Sequence, residues 1–306
     1  AKILNNCTQH WQKGDPEDPL RGFAAWPLID YVGVHGLKHP ALALDTLKKL
    51  TGLFSAEFAI RPFLLEHREL SLKRLHLWST DKDEHVRRLV SEGCRPRLPW
   101  GIRLQPFCED PAAILPLLES LKDDPSLYVR RSVANNLNDI SKDHPESVIE
   151  LCKHWNKTGK KETSKERQWL IRHATRTLVK AGHPKVFPLL GYTDKPQVSL
   201  SPIKLKQKKI QLGEALNFNL QLCSTHQKSQ KLVVDYAIHH MKANGQTSPK
   251  VFKLKNLTLK AGEKLSIDKK HMIKAISTRK YYSGTHKLEI LVNGQGVSDM
   301  EFDLKL

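Results

Sequence analysis

A short phrase that recurs at a fixed spacing constrains the fold of this chain more than any other feature. Residues 126–133 read Ser-Leu-Tyr-Val-Arg-Arg-Ser-Val, and the Val-Arg-Arg core also occurs 43 residues earlier, within 83–90. A weaker third copy, Gln-Trp-Leu-Ile-Arg-His-Ala-Thr, lies at 168–175, a further 42 residues along. Spacings of about 40–47 residues are typical of HEAT-type repeats, in which helix pairs stack into a curved solenoid. The Val-Arg-Arg segments are therefore predicted to be inner helices that line a concave wall with arginines.

The copy at 124–140 shows why these segments are predicted to be helical. Asp124, Pro125 and Ser126 supply a capping side chain and a proline near the first turn, where its missing N–H has no cost. Apolar residues then recur at helical spacing, namely Leu127, Val129, Val133, Ala134 and Leu137. The last two turns carry Asn135, Asn136, Asn138 and Asp139. Because Asn and Asp are poor residues for a helix interior, the helix must use these side chains, end near them, or both.

Paired helices are predicted along most of the first half of the chain. The pairs are 39–53 with 56–67, 70–79 with 84–94, 111–122 with 127–140, and 144–155 with 164–181. Between the second and third pairs lies the segment 94–101, which is too long for a minimal turn. Two prolines stiffen this segment, and Arg95, Arg97 and Trp100 supply two cations and an aromatic ring.

The pattern changes after Lys195 and Pro196. Apolar and polar residues alternate from there, as in Leu216–Leu222, and Asn-Gly and Ala-Gly turn signals separate the alternating runs. About seven strands in roughly 100 residues is the size of an immunoglobulin-like sandwich, although the Cys…Trp…Cys pattern of antibody domains is absent. The predicted fold is multidomain: an all-α HEAT-like helical-repeat solenoid at 1–196, followed by an all-β immunoglobulin-like sandwich at 197–306.

The excess of positive charge points to a polyanionic partner. The formal charge is +18 and the sequence pI is about 9.7, which favours nucleic acid or an anionic membrane surface. No run of about 18 apolar residues is present to span a bilayer. Residues 201–306 contain 19 Lys and Arg against 8 Asp and Glu, so +11 of the charge lies there. We hypothesise that the sandwich helps to hold DNA, with a merely solvated lysine-rich surface as the equally weighted alternative.

Cysteine and histidine usage gives no sign of a metal or cofactor. The five cysteines, Cys7, Cys94, Cys108, Cys152 and Cys223, are scattered and form no CxxC motif, which suits a reducing cytoplasm and argues against a zinc site. His35 and His39 are four residues apart, but Gly36 and Pro40 favour a loop and no acidic third ligand is evident. Residues 1–5 contain no initiator methionine and no hydrophobic signal segment. We therefore expect a cytoplasmic chain, trimmed at its N-terminus, that needs neither metal nor cofactor.

The most distinctive run, residues 78–100, resembles a known family. It reads Trp-Ser-Thr-Asp-Lys-Asp-Glu-His-Val-Arg-Arg-Leu-Val-Ser-Glu-Gly-Cys-Arg-Pro-Arg-Leu-Pro-Trp. With the HEAT-like spacing and Asp139 at the end of its helix, it resembles the AlkC branch of the AlkC/AlkD bacterial DNA glycosylases over about residues 20–195. Some AlkC proteins carry a C-terminal immunoglobulin-like domain, in agreement with the second half of this chain.

The resemblance implies a reaction and a set of acids. It implies excision of cationic alkylated bases, 3-methyladenine above all and also 3-methylcytosine, from double-stranded DNA without full rotation of the damaged nucleotide into a pocket. On matching positions, Asp139 would be the catalytic carboxylate, and Glu57 and Glu92 further acids of the cleft. An N3-alkylated base leaves as a neutral molecule without a general acid, while positive charge develops on the sugar. A fixed carboxylate can stabilise that charge and orient the attacking water.

The resemblance also implies DNA contacts. Arg88 and Arg95, with Trp100, would hold the DNA around the lesion. AlkD-like proteins bracket their aspartate with two tryptophans, but residues 124–140 contain none, so Trp100 or Trp169 would have to take that place. Further candidate contacts are Arg97, Arg131, Arg172 and Arg176. No lysine stands out as a Schiff-base nucleophile, so a monofunctional enzyme without lyase activity is expected. The protein is also expected to be a monomer.

The same residues have plainer interpretations. Asp139 could be a turn residue at a helix C-terminus, Glu92 a helix partner of Arg88 or Arg95, and Glu57 a first-turn glutamate favoured by the helix dipole. The arginine column could consist of phosphate contacts or of internal ladder contacts; it comprises Arg61, Arg87, Arg88, Arg130, Arg131, Arg172 and Arg176. Arg87 and Arg130 fit either role, whereas Arg88 and Arg131 favour DNA. The tryptophans Trp78, Trp155 and Trp169 favour the core over the lesion.

Two other functional classes share some of these features. A non-catalytic HEAT-repeat scaffold would bind nucleic acid through the same arginines, but it would have no use for three acids in one cleft. A protein–protein adaptor would bind DNA without the steep salt dependence of counterion release.

Overall fold

The computed structural model of the chain describes residues 22–158, 164–277 and 279–306. The expected trimmed N-terminus and Cys7 lie outside this part of the chain. The chain forms two compact units, one up to Thr177 and the other from Leu178 to Leu306. No helix in the described residues is both long enough and apolar enough to cross a membrane.

The first unit is built from helices joined by short turns, after a 3₁₀ turn at Gly22–Ala25. The helices are α1 (Trp26–His35), α2 (Pro40–Leu50), α3 (Arg61–Glu66), α4 (Arg68–Trp78), α5 (Glu84–Gly93), α6 (Gln105–Glu109), α7 (Leu115–Leu121), α8 (Leu127–Ile140), α9 (Pro145–Thr158), α10 (Ser164–Ala174) and α11 (Arg176–Lys180). The last three residues of α11 already belong to the second unit. The inner helices α5, α8 and α10 pack against one another in that order. The helical-repeat fold predicted from the sequence is confirmed.

Helix ends differ from the prediction in places. The helix predicted at 56–67 begins only at Arg61, because turns occupy 57–60, and the short helix α6 was not predicted. The helix predicted at 164–181 is divided at Thr175, whose hydroxyl donates to the Ile171 carbonyl at 2.8 Å. Such back-bonding competes with the regular helix and bends it.

The repeat is visible at the level of single hydrogen bonds. In both copies the first arginine of Val-Arg-Arg donates through Nη1 to the carbonyls six and five residues before it, at 2.8 and 3.1 Å for Arg87 and at 2.6 and 2.9 Å for Arg130. Arg87 also makes a two-point contact with Asp124 through Nε at 2.6 Å and Nη2 at 3.0 Å, which joins one repeat to the next. Of the two roles left open by the sequence, these two arginines have the internal ladder role in this structure.

The tryptophans at the outer helices belong to the core. Trp78 and Trp155 are 3% and 0% exposed, as the sequence predicted. The Trp155 indole N–H donates to Glu119, so its polar edge is also satisfied.

The second unit contains two sheets. The strands are β1 (Val198–Leu200), β2 (Lys204–Leu205), β3 (Lys209–Gln211), β4 (Ala215–Ser224), β5 (Gln230–Met241), β6 (Thr247–Leu259), β7 (Lys264–Met272), β8 (Gly284–Val292) and β9 (Gln295–Lys305). In one sheet β4 pairs with β1, β2 and β7; the other has the order β3-β9-β8-β5-β6. All pairings are antiparallel except that of β3 with β9. The immunoglobulin-like architecture is confirmed. The described residues form nine strands, two more than the predicted number of about seven, and the three shortest lie within residues 198–211.

Alternation along the long strands builds the sandwich core. Every second residue of β4 is buried, from Leu216 to Leu222, and the same holds for β8 from Leu288 to Val292. The outer face of β5 is also buried, unlike that of β4. Alternating strands with one polar face are expected where only one face packs on a core, so β5 must be covered on its second side.

The segment that precedes the strands supplies packing for this unit. It contains the short helix α12 (Val186–Leu189), whose Phe187 is 1% exposed. The Thr193 amide donates to the Lys231 carbonyl at 3.0 Å, and Asn293 Nδ2 donates to the Thr193 carbonyl at 2.7 Å. The compact unit therefore begins at Leu178, whereas the boundary predicted at 196/197 coincides with the start of the strands.

Two histidine rings are buried in the sandwich, and a third, that of His271, is half-buried. His240 and His286 are 5% and 1% exposed with ring centroids 5.5 Å apart, and neither Nδ1 has a hydrogen-bond partner in the described residues. His271 shares a hydrogen bond of 2.9 Å with the Tyr236 hydroxyl. Burial and nearby cationic side chains lower the pKa of His240 to about 3 and that of His271 to about 4. These rings are therefore neutral in the folded sandwich.

The sandwich is predicted to lose stability as the pH falls below about 6.5, because the unfolded chain then binds protons that the folded rings exclude. Between pH 7 and 5 the free energy of unfolding should fall by roughly 2–4 kcal/mol. Urea unfolding followed by far-UV circular dichroism measures this loss. All six tryptophans precede residue 178, so tryptophan fluorescence reports the helical unit separately.

A pair of histidine substitutions controls this measurement. His240→Phe should remove about half of the pH dependence of the strand signal, whereas His226→Phe, at a turn outside the core, should leave it intact. Equal pH dependence in His240→Phe and the wild type would show that the buried ring is not responsible.

Candidate active site

The last turns of α5 and α8 are held side by side by buried polar contacts. Ser91 Oγ donates to Ser132 Oγ at 2.6 Å, and Asn136 Nδ2 donates to the Ser91 carbonyl at 2.8 Å. Two residues further along α8, Asn138 Oδ1 accepts from the Thr177 hydroxyl at 2.9 Å. The asparagines of this helix are thus used as connectors as the helix ends. This packing places Asp139 beside the segment 94–101 that follows α5.

Asp139 is nearly enclosed and is held from two sides. Its side chain is 3% exposed, and its Oδ2 accepts from Arg95 Nε at 2.8 Å. Its Oδ1 accepts from Lys142 Nζ at 3.0 Å. Arg95 also donates through Nη1 to Glu92 Oε1 at 2.6 Å. One guanidinium group therefore bridges two buried carboxylates, and Asp139 is not a simple turn residue.

The third acid joins through a second arginine. Arg88 Nη2 lies 3.6 Å from Glu92 Oε1, and Arg88 Nη1 donates to Glu57 Oε2 at 2.5 Å and to Ser55 Oγ at 2.6 Å. The Ser55 hydroxyl donates to Glu57 Oε2 at 2.7 Å. The Arg88 guanidinium carbon also lies over the Tyr128 ring, 4.8 Å from its centroid.

These side chains form a continuous chain of alternating charge, which we call the ion-pair chain: Glu57, Arg88, Glu92, Arg95, Asp139 and Lys142. It brings together the three acids predicted from the sequence. Burial lowers the pKa of Arg88 and Arg95, but the neighbouring carboxylates outweigh this effect and raise both pKa values above the ordinary one. The two guanidinium groups remain charged and hold the acids in fixed orientations.

The structure gives Arg88 and Arg95 a role inside the protein. Their side chains are 15% and 9% exposed, and both guanidinium groups bind carboxylates. Their contacts to DNA remain a prediction. Arg97 is half-buried and makes a two-point contact with Asp143 at 2.9 and 2.7 Å.

Trp100 has the most distinctive environment of the predicted DNA contacts. It is 99% exposed, and its φ of 62° lies in the left-handed region that non-glycine residues rarely adopt. An indole of this size is ordinarily buried. A fully exposed ring on a strained backbone is typical of a residue that contacts a partner.

Other predicted contacts follow the inner face of α8 and α10. Arg131 precedes Asp139 by two helical turns and is exposed, as is Arg172 on α10. Between them, Asn135 Oδ1 accepts from Arg176 Nη2 at 3.0 Å and lies 3.1 Å from His173 Nε2. Burial, together with the cations Arg176 and Arg131, lowers the pKa of His173, so its ring is neutral and donates to Asn135.

Trp169 lies beside this group rather than in the core. Its ring is half-buried and stacks on His173 with centroids 5.2 Å apart and an interplanar angle of 7°. The structure therefore brings Trp169 to the inner face with Asn135 and Arg176.

Sequence reasoning missed three members of the site. Lys142 lies three residues after Asp139, a spacing at which oppositely charged side chains meet on a helix surface, so this contact could have been found. Ser55 and Tyr128 carry no comparable local signal, because both reach Arg88 across the fold.

Comparisons with known proteins agree with this architecture. The family model described as "Uncharacterised protein YhaZ, C-terminal Ig-like domain" matches residues 199–306. The "Uncharacterized protein YhaZ" of Bacillus subtilis strain 168 is 39% identical over 290 residues, which cover 95% of this chain and 79% of that protein. The solved structure of Pseudomonas fluorescens alkylpurine DNA glycosylase AlkC, bound to DNA containing an abasic site analog, matches with a TM-score of 0.90 and 41% identity, over 100% of this chain and 82% of that one.

The fold and these matches define a HEAT-like repeat protein with an immunoglobulin-like C-terminal domain. At this level of identity and coverage, the chain belongs to the AlkC family.

The ion-pair chain generates a stability prediction. Replacing Arg95 by Met removes the cation between Glu92 and Asp139, so two buried carboxylates lose their main partner. The free energy of unfolding should fall by roughly 3–5 kcal/mol, as measured by urea unfolding with tryptophan fluorescence. Arg131→Met, the same change at an exposed position, should shift it by less than about 0.5 kcal/mol. Similar effects of the two substitutions would mean that the bridge contributes little.

Proposed function

We propose that this protein is a monofunctional DNA glycosylase that acts on cationic alkylated bases in double-stranded DNA. Its substrates would be 3-methyladenine and also 3-methylcytosine, and its product an abasic site. The observation that carries the proposal is the ion-pair chain, in which Arg88 and Arg95 hold three buried or half-buried carboxylates together. Membership in a family that includes an alkylpurine DNA glycosylase supports it.

The chemistry explains why such a site needs acids. A cationic base departs as a neutral molecule, so no side chain has to protonate it. The positive charge that develops on the sugar is stabilised by a carboxylate in a site of low dielectric constant. Because no general acid has to reach the departing base, the base does not need to enter a protein pocket. We propose that the damaged nucleotide does not rotate fully out of the duplex.

Asp139 is the proposed catalytic carboxylate because each of its oxygens is held by one donor. Arg95 fixes Oδ2 and Lys142 fixes Oδ1, which leaves lone pairs on both oxygens for a water molecule or the sugar. The Lys142 side chain is 41% exposed while that of Asp139 is 3% exposed, so Lys142 is the partner of Asp139 that also reaches solvent. Glu92 and Glu57 would extend the negative field along the cleft and hold the two arginines.

The central prediction concerns Asp139→Asn. This variant should bind methylated duplex DNA like the wild type, because an amide oxygen can still accept from Arg95. Its single-turnover excision rate at saturating protein should fall by roughly a hundredfold or more, because the charge that stabilises the transition state is lost. Chromatography of released 3-methyladenine measures the rate.

Two controls sharpen this test. Asp143→Asn makes the same change at the exposed partner of Arg97 and should retain the rate. Borohydride should trap no covalent adduct through Lys142, the amine next to Asp139. Loss of binding in Asp139→Asn would remove the catalytic assignment, and DNA binding by a wild type that releases no base would favour a non-catalytic scaffold.

The proposed DNA surface is tested by the salt dependence of binding. We propose that Arg131, Arg172 and Trp100 contact the DNA. Each phosphate contact adds about 0.9 to the slope of log affinity against log salt. Arg131→Ala should therefore lower the slope by about one contact, whereas Arg87→Ala, whose guanidinium group binds Asp124, should not change it. An unchanged slope for Arg131→Ala would exclude a phosphate contact there.

Measurement of DNA affinity also tests whether the sandwich contributes to DNA binding. Lys206, Lys269 and Lys270 line a groove of about 510 Å³ beside β4 and β7, which is the surface we propose for DNA. Replacing all three by Gln should reduce affinity while the single-turnover rate at saturating protein is kept. The matched triple change of Lys228, Lys231 and Lys242 should have no such effect. If both triple variants bind like the wild type, the lysines are only a solvated surface.

A further inference from the structure

Arg61 has an unusual environment for a cation. It is 0% exposed, and its guanidinium group donates to backbone carbonyls rather than to carboxylates. Nη1 donates to the carbonyls of Gly93 at 2.9 Å and Arg95 at 2.8 Å. Nε and Nη2 donate to the carbonyl of Ile102 at 2.7 and 2.5 Å. One side chain thus satisfies three backbone acceptors.

These three carbonyls lie at the two ends of the segment 94–101. Gly93 ends α5, and arginine side chains near a helix C-terminus can bind its last carbonyls. Ile102 follows the segment directly. The Arg61 guanidinium group therefore ties the start and the end of the segment to the same point. The residues between them include Arg95, which bridges Glu92 and Asp139, and the exposed Trp100.

The arrangement is costly to build. Burial lowers the pKa of Arg61 to about 10; the adjacent Arg95 adds to the decrease and the Asp139 carboxylate opposes it. The group is still charged at neutral pH. A buried cation is tolerated when its donors are fully used, and the planar fork of arginine can reach several fixed acceptors at once, which the point charge of lysine cannot.

We propose that Arg61 is a positioning residue for the excision reaction. It holds the segment 94–101 closed, so that Arg95 reaches both acids and Trp100 projects into solvent. This inference rests on the proposed function, and it assigns no contact with DNA to Arg61 itself.

The variant Arg61→Lys tests the proposal, and Arg167→Lys is its matched control. Arg167 is also buried, at 4% exposure, but it binds Asp123 and the Trp155 carbonyl. Hydrogen exchange of the full-length protein should be faster at the amides of Gly101 and Leu104, which donate to the carbonyls of Leu98 and Pro96 in the segment. This change is expected in Arg61→Lys and not in Arg167→Lys.

Kinetics provides the second measurement. The single-turnover rate of Arg61→Lys at saturating protein should fall by roughly tenfold or more, since small misplacements of reacting groups have effects of this size. Combining Arg61→Lys with Trp100→Ala should reduce the rate by less than the product of the two single effects, because both act through one segment.

Gly101→Ala provides a milder variant if Arg61→Lys does not fold. A Cβ at this position would meet Arg61 Nε at 3.2 Å and Leu98 Cδ2 at 3.2 Å, so it presses on the contact from outside. Gly101→Ala should also speed amide exchange and slow excision, but by smaller factors than Arg61→Lys.

The two hypotheses fail separately. A wild type that releases no base contradicts the proposed function, while the exchange comparison still decides whether Arg61 closes the segment. Unchanged exchange in both Arg61→Lys and Gly101→Ala, or faster exchange with a full excision rate, would overturn the positioning role.

Discussion

The helical unit buries two neighbouring carboxylates, Glu92 and Asp139, and the rest of its structure depends on compensating their charge. Glu92 and Asp139 are 5% and 2% exposed, and an unpaired carboxylate at either position would cost several kcal/mol. Arg95 compensates both acids with one guanidinium group. Because Arg95 follows α5 and Asp139 ends α8, this compensation works only while the two helices keep their register. The Ser91, Ser132 and Asn136 contacts maintain that register.

The same arrangement suits the role near DNA that is proposed for Asp139. Acids are repelled by phosphate, so a basic protein can keep them in its cleft only if nearby cations hold them ionised and oriented. Arg88 and Arg95 bind these carboxylates inside the fold, whereas Arg131 and Arg172 are exposed and do not belong to the ion-pair chain. The arginines that the sequence presents as one column thus have two environments, and the exposed ones are those proposed to contact DNA. Arg61 has a third environment, among backbone carbonyls.

The sandwich places its charges differently. Its lysines lie on the outside of the strands, whereas its buried histidines are kept neutral by burial. A neutral interior under a strongly basic surface makes the stability of this unit sensitive to acid. The lysine groove at β4 and β7 depends on the fold of the sandwich, because residues from β4, β7 and the chain beside β2 form it together.

The sequence by itself determined the architecture, because periodicity is a local property. The 43-residue recurrence required stacked helix pairs, and the period of two after Pro196 required a sandwich. It also supplied the three acids through the resemblance carried by residues 78–100. It could not give the carboxylate partners of Arg87 and Arg88. Adjacent residues of a helix point about 100° apart, and only the packing of α5 decides that Arg87 faces Asp124 and Arg88 faces Glu57. Tertiary structure alone decided that Arg61 closes the segment 94–101, since its three acceptors lie 32 to 41 residues away along the chain. Contacts at that distance depend on how helices stack, which local patterns do not encode.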